Sequence, residues 1–231
     1  MKLHMKLLVF FCVLYLLFVS CSCGSRINEP YECSVQYNKQ HICSCAIIRG
    51  EFVLTADHCI REVRGRSIKD FKILLVGSGI YHNIEDYIPY LDNFSNHQCH
   101  EDIGLIKVQN SLYTESYNIL DTYIPPHTPL NAYGYQENSH PMRNDLKTHC
   151  LFTLRNDDEG NLHLCTSDFY ANGMSGGPIV DGNGRLVGIL RGSGTGINNK
   201  KVKLFTRISH IHFWLYSTIN QYQRPRECTV M

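Results

Sequence analysis

Gly173-Met174-Ser175-Gly176-Gly177-Pro178 is the stretch on which the reading of this 231-residue chain turns. A serine set among glycines suits acyl-transfer chemistry. Glycines permit sharp backbone turns and leave the hydroxyl open to a bulky substrate. They also let main-chain N–H groups converge on one point, where a tetrahedral oxyanion would be held. The same residues also make an ordinary tight turn between two strands, because Gly-Gly-Pro is turn chemistry wherever it occurs. The rest of the chain decides between these readings.

On both sides of that stretch, short runs rich in Val, Ile, Leu, Tyr and Phe alternate with Gly, Asn, Asp and Pro. Candidate strands cover residues 33–36, 42–48, 52–55, 71–76, 103–108, 131–135, 151–154, 162–166, 178–180, 186–190 and 204–207. So many short strands with frequent turn signals predict an all-β barrel or sandwich. One helix is expected, at about 209–221, where Ile211, Trp214, Leu215 and Ile219 recur at helical spacing and form a docking face. Pro125, Pro126 and Pro129 make 120–130 the most linker-like segment, dividing the chain into two similar halves. If Gln36 and Ile42 flank a hairpin turn at Asn38-Lys39, opposed residue numbers sum to about 78. Cys33 then faces Cys45, and this register allows a bridge between them.

Composition places the chain in a compartment. The 22 Lys+Arg nearly balance 21 Asp+Glu, so nothing suggests a nucleic-acid or acidic-membrane partner. A hydrophobic content of 43% argues for a folded globular protein. Lys2 and Lys6 precede an apolar run at 7–19, and Ser20, Ser22 and Gly24 follow it. That is a signal peptide over about 1–24, with the mature chain beginning between Cys23 and Ile27, and the run is short for a membrane span. The reading is a secreted, extracellular protein with no membrane attachment after signal removal. Cys33, Cys43, Cys45, Cys59, Cys99, Cys150, Cys165 and Cys228 then remain, an even set that reads as disulfides. Metal binding is the weaker reading, because His58-Cys59, Cys99-His100 and His149-Cys150 are adjacent pairs and no Cys-x-x-Cys occurs. Asn93-Phe94-Ser95 is the single N-glycosylation sequon.

Two further segments carry chemistry. Leu54-Thr55-Ala56-Asp57-His58-Cys59 ends a candidate strand on a histidine, and Asp102 stands before the apolar run Ile103-Gly104-Leu105-Ile106. An aspartate at a core edge can accept the Nδ1–H of an imidazole and hold its tautomer. His58, Asp102 and Ser175, in that order, resemble the chymotrypsin/trypsin family of serine proteases. Thr55-Ala56-Asp57-His58-Cys59 is similar to that family's TAAHC, Asp102-Ile103-Gly104-Leu105-Ile106 to its DIALI, and Gly173-Met174-Ser175-Gly176-Gly177-Pro178 to its GDSGGP. Tyr133-Gly134-Tyr135 and Phe205-Thr206-Arg207 are weaker echoes of its GWG and YTR segments. The similarity spans about 30–219.

The resemblance implies one protease domain over 25–231. It would comprise two six-stranded antiparallel β-barrels, at about 30–119 and 131–208, with the active site between them and the C-terminal helix after them. It implies His58 as general base and acid, Asp102 as its orienting partner, Ser175 as nucleophile, and an oxyanion hole from the N–H groups of Gly173 and Ser175. Disulfides Cys43–Cys59 and Cys150–Cys165, protein or peptide substrates, proteinaceous inhibitors, and no metal or organic cofactor are also implied. Cys99 and Cys228 have no assigned partner.

Three departures qualify that picture. Met174 stands where the family usually has an aspartate, the residue that receives a new N-terminal ammonium in zymogen-activated members. Activation by N-terminal insertion is therefore not expected, although Arg26-Ile27 superficially resembles a cleavage site. The cysteine pair that braces the family's specificity pocket is missing. The pocket base falls on Phe169 in one alignment, giving an apolar pocket, and on Asp168 in the other, favouring Arg/Lys substrates. Arg191, next to Gly192 on the later wall, either points into the cleft toward acidic side chains or faces solvent, with solvent favoured. The competing function is a protease-like binding or decoy protein that does not cleave.

Overall fold

In a computed structural model, the described residues are 32–61, 67–90, 101–112, 115–125, 127–136, 148–154, 163–166, 172–195 and 201–223, with only the backbone described for 148–154, 163–166, 195, 201 and 202. The predicted leader at 1–24, Asn93, Cys99, Asp168, Phe169 and Cys228 lie outside them, as do the side chains of Cys150 and Cys165.

The strands close into two antiparallel barrels. The first comprises β1 (Glu32–Tyr37), β2 (Gln40–Arg49), β3 (Phe52–Thr55), β4 (Phe71–Leu75), β5 (Ile80–Pro89) and β6 (Gly104–Val108), in the order β1-β2-β3-β6-β5-β4. The second comprises β7 (Pro129–Ala132), β8 (Thr148–Leu154), β9 (His163–Thr166), β10 (Pro178–Val180), β11 (Leu186–Thr195) and β12 (Lys201–Arg207), in the order β10-β11-β12-β9-β8-β7. A short helix α1 (His58–Arg61) follows β3, and α2 (Ile208–Gln223) follows β12.

The first hairpin shows how local sequence sets register. Cys33 pairs with Cys45 and Val35 with Cys43, as a sum of 78 requires. The register then slips at a bulge between Val35 and Gln36, so that Gln36 faces His41. The slip leaves a two-residue turn in which Asn38 and Lys39 both have positive φ, 51° and 64°, a turn whose twist matches that of the flanking strands. Cys33–Cys45 and Cys43–Cys59 are both disulfides. The second joins the histidine-bearing helix to β2.

Strand β5 has no counterpart in the sequence-based list. Its residues include His82, Asn83, Glu85 and Asp86, and only Ile84 among its side chains is fully buried. A strand lying largely at the surface has little apolar periodicity to announce it. The helix behaves as its spacing predicts. Ile211, Leu215 and Ile219 are buried in a cluster shared by Leu54 and Leu105 of the first barrel and Leu186 and Ile189 of the second. Trp214 adds an edge-on contact with Tyr90, ring centroids 5.2 Å apart. Helix α2 thus packs where the barrels meet.

Two polar features lie in this apolar frame. On β5, the Tyr87 hydroxyl donates a short hydrogen bond to Asp57, whose other oxygen receives Arg61 Nε at 2.9 Å. Burial, then the Asp57 hydrogen bond and charge, push the Tyr87 hydroxyl far above its ordinary titration range. The ring passes over Gly104, where any Cβ would overlap its hydroxyl and ring carbons. In the second barrel, Lys203 is 0% exposed and shares the interior face of β12 with Phe205. Burial pushes its ammonium down from 10.5 to about 8.

Gly104→Ala should lower stability by about 2 kcal/mol, or about 4–8 °C in Tm. Adding Tyr87→Ala should not add its full separate cost, because the clash is then gone; strictly additive melting shifts would refute this contact. For Lys203, the unfolded chain holds more protons than the folded one between pH 8 and pH 10.5. The charge therefore penalises the fold fully below pH 8, and the penalty is relieved as pH rises. Relative to Lys203→Met, the wild type should gain about 3 kcal/mol across that interval. Parallel pH–stability curves for the two proteins would show that the ammonium costs nothing.

Candidate active site

Strand pairing alone brings His58 and Asp102 together. Thr55 of β3 faces Gly104 of β6, so the residues just after one strand and just before the other meet beyond the last paired rung. The turn at Ala56-Asp57 then closes into α1, with Cys59 N–H donating to the Ala56 carbonyl at 3.2 Å and Arg61 N–H to that of Asp57 at 3.0 Å. His58 stands at the first position of that turn, half-buried above Asp102.

Asp102 is a buried carboxylate with both oxygens engaged. Oδ1 receives the main-chain N–H of His58 at 2.8 Å, and Oδ2 lies 2.7 Å from His58 Nδ1. A carboxylate only accepts, so Nδ1 carries the proton and Nε2 is the acceptor nitrogen of the neutral ring. Burial alone would raise the Asp102 pKa. The His58 hydrogen bonds and charge, and then the Arg191 charge, outweigh it and hold Asp102 below the usual carboxylate range.

Ser175 comes from the other barrel. It precedes β10 on a turn in which Gly177 N–H donates to the Met174 carbonyl at 3.0 Å, and Gly176 N–H to the Leu190 carbonyl at 2.7 Å. The Ser175 carbonyl receives Ser44 N–H of β2 at 2.8 Å, which seats the turn against the first barrel. Gly176 has φ +83°, and a side chain there would collide with the Ser44 carbonyl and the Thr55 hydroxyl. Only glycine fits this seat.

Arg191 touches both halves of the site. Its carbonyl receives the Ser175 hydroxyl at 3.2 Å, and its Nε lies 3.6 Å from Asp102 Oδ2. The side chain is 42% exposed, with solvent on one side and the buried carboxylate on the other. Gly192 beside it is half-buried, with open space where a side chain would stand. Gly173 is half-buried with φ +91°. His58, Asp102, Ser175, Gly173, Arg191 and Gly192 are thus described; Asp168 and Phe169 are not. Cys43, His58 and Cys59 offer ligand atoms within 4.8 Å of one another, but the two sulfurs are bonded to each other and are not available as thiolates.

Sequence reading missed two contributors. The sequence sets Arg191 on the later wall of the pocket, pointing into the cleft or toward solvent, and does not announce its contact with Asp102. Asp57 and Gly104 each stand where the similar family segments, TAAHC and DIALI, have alanine. That paired difference was the visible signal of the Tyr87 contact.

Comparison with known proteins agrees with this architecture. The family model described as Trypsin matches residues 19–215. Trypsin epsilon of Drosophila erecta is 25% identical over 222 aligned positions, covering 84% of each chain. Transmembrane protease serine 11G of Mus musculus is 23% identical over 226 positions, with 84% of this chain and 53% of the relative covered. Among solved structures, neuropsin, described as a serine protease expressed in the limbic system of mouse brain, superposes with a TM-score of 0.67. It covers 83% of this chain and 95% of its own at 19% identity, a likeness of fold. This chain, with its paired barrels, its His58–Asp102 couple and its Gly-Met-Ser-Gly-Gly turn, belongs to the trypsin family.

Proposed function

We propose that the protein is a secreted serine endopeptidase acting on protein or peptide substrates through His58, Asp102 and Ser175. The observation supporting this reading is the His58–Asp102 pair of the first barrel, with Nδ1 held at 2.7 Å, together with the Ser175 hydroxyl on a turn of the second, which donates to the carbonyl of Arg191, the residue whose Nε lies 3.6 Å from Asp102. His58 Nε2 takes the proton of the Ser175 hydroxyl as its oxygen attacks the scissile carbonyl. Asp102 stabilises the imidazolium that forms. The N–H groups of Gly173 and Ser175 hold the oxyanion. His58 then gives its proton to the leaving amine, and water repeats the sequence on the acyl-enzyme.

The binding side of the reaction has support as well. Among the described residues, β11 pairs with β10 up to Ile189, while residues 192–195 pair only with β12. The open edge begins beside Ser175 and suits an extended peptide added as a further strand. Secretion rests on the leader-like residues 1–24. Among the described residues, no helix is long and apolar enough to cross a membrane.

A fluorophosphonate probe should label the wild type at Ser175, and Ser175→Ala should be unlabelled and inactive. Asp102→Asn should leave a folded protein with turnover reduced by roughly 10⁴-fold, since the wrong tautomer is then held. A folded, disulfide-intact wild type that takes no label would transfer the protein to the non-cleaving, binding reading.

A further inference from the structure

The turn that carries Ser175 is fixed at successive peptide units, and two of the anchors are side chains of the first barrel. The Gly173 carbonyl lies 3.0 Å from His41 Nε2 and receives the Ser44 hydroxyl at 2.9 Å. The Met174 carbonyl receives Gly177 N–H, and the Ser175 carbonyl receives Ser44 N–H. A peptide unit is planar and trans, so each N–H points opposite the carbonyl across its bond. Turning the Met174 carbonyl toward Gly177 therefore directs the Ser175 N–H the other way, away from the interior of the turn.

His41 belongs to a directed chain of hydrogen bonds. Its Nε2 faces two carbonyl oxygens, those of Gly173 at 3.0 Å and Tyr135 at 3.1 Å, so Nε2 carries the proton. Nδ1 lies 2.7 Å from Ser34 Oγ, which itself receives Gln36 Nε2–H at 2.8 Å. The Ser34 hydroxyl hydrogen is then directed at Nδ1. Gln36, Ser34 and His41 form one run of donors, each donating to the next and His41 to the Gly173 carbonyl, with Ser34 and Gln36 buried. Ser44 completes the clamp by accepting Tyr135 N–H at 2.8 Å while donating to Gly173. Across from these polar anchors, Met174 is 0% exposed and packs among Leu130, Ala132, Ile179 and Leu190. Among the described residues, an ammonium buried there would meet the apolar side chains of this cluster.

We infer that His41, braced by Ser34 and Gln36, is the positioning residue that sets the oxyanion-binding backbone of this chain. The peptide joining Gly173 to Met174, which lies between the units that carry the Gly173 and Ser175 N–H groups, is held from the first barrel by an imidazole, so the turn is ordered without a charged N-terminus. His41 touches no reacting atom; it acts through the Gly173 carbonyl. The effect on rate rests on the peptidase reading above, whereas the ordering of the turn does not.

The test is amide hydrogen exchange in peptides spanning residues 172–177, measured before and after cleavage at Arg26. Protection should be the same in both forms. His41→Leu should speed exchange about tenfold or more, and His41→Gln, which keeps a side-chain N–H donor, should restore most of the protection. Fluorophosphonate labelling should slow in parallel, by part of the roughly 10²–10³-fold that losing an oxyanion donor itself costs, with KM for a peptide ester little changed. If His41→Leu does not fold, Ser34→Ala should give an intermediate loss, since it removes only the Nδ1 partner. Protection that appears only after cleavage, or that survives His41→Leu unchanged, would overturn the inference. A protected turn that takes no label in the wild type would uphold the clamp and sink the peptidase reading.

Discussion

The seat of Gly176 on β2 is the contact through which the barrels become one site. Here the backbone runs at φ +83°, with the Ser44 carbonyl and Thr55 hydroxyl where a side chain would otherwise be. The neighbouring Ser44 N–H holds the Ser175 carbonyl at 2.8 Å, and Thr55 donates back to the Ser44 carbonyl at 2.9 Å. Thr55 also ends the strand that leads to His58. The same residues that terminate β3 therefore fix the distance from the histidine to the serine turn. Helix α2 reinforces this junction from outside, burying Ile208, Ile211, Leu215 and Ile219 against side chains of both barrels.

Charge inside the site is arranged asymmetrically. Asp102 has a histidine on one side and an arginine on the other, and both favour its ionised form over the opposing effect of burial. Asp57, one residue before His58, is a second buried carboxylate with its own partners, Tyr87 and Arg61. The two acids are kept apart by giving each a separate set of donors. His58 is thus flanked by two carboxylates, of which only Asp102 bonds its ring.

Much of the fold was legible because it depends on short-range patterning. The β1–β2 hairpin could be registered from a turn and a sum of residue numbers, and α2 from apolar spacing. The serine turn and the order of His58, Asp102 and Ser175 were visible as segments. What escaped depends on contacts distant in sequence. Strand β5 hides its pairing under polar side chains. His41 is an unremarkable histidine until Gly173, 132 positions later, is brought against it. Lys203 reads as a surface lysine because its burial is decided by β9 and β11, not by its neighbours in the chain. Arg191 falls just beyond the strand predicted at 186–190 but belongs to β11, and its reach to Asp102 follows from the seam between barrels, which no local pattern encodes.

The packing of Tyr87 over Gly104 also ties three positions of the first barrel into one unit. A methyl group at position 104 and a tyrosine at position 87 cannot occupy the same space. Without a side chain at 104, the ring lies across to Asp57. An alanine at 104 collides with the ring, and removing the ring takes from Asp57 its hydroxyl donor. The three residues are therefore energetically coupled, and a change at one alters the cost of a change at the others.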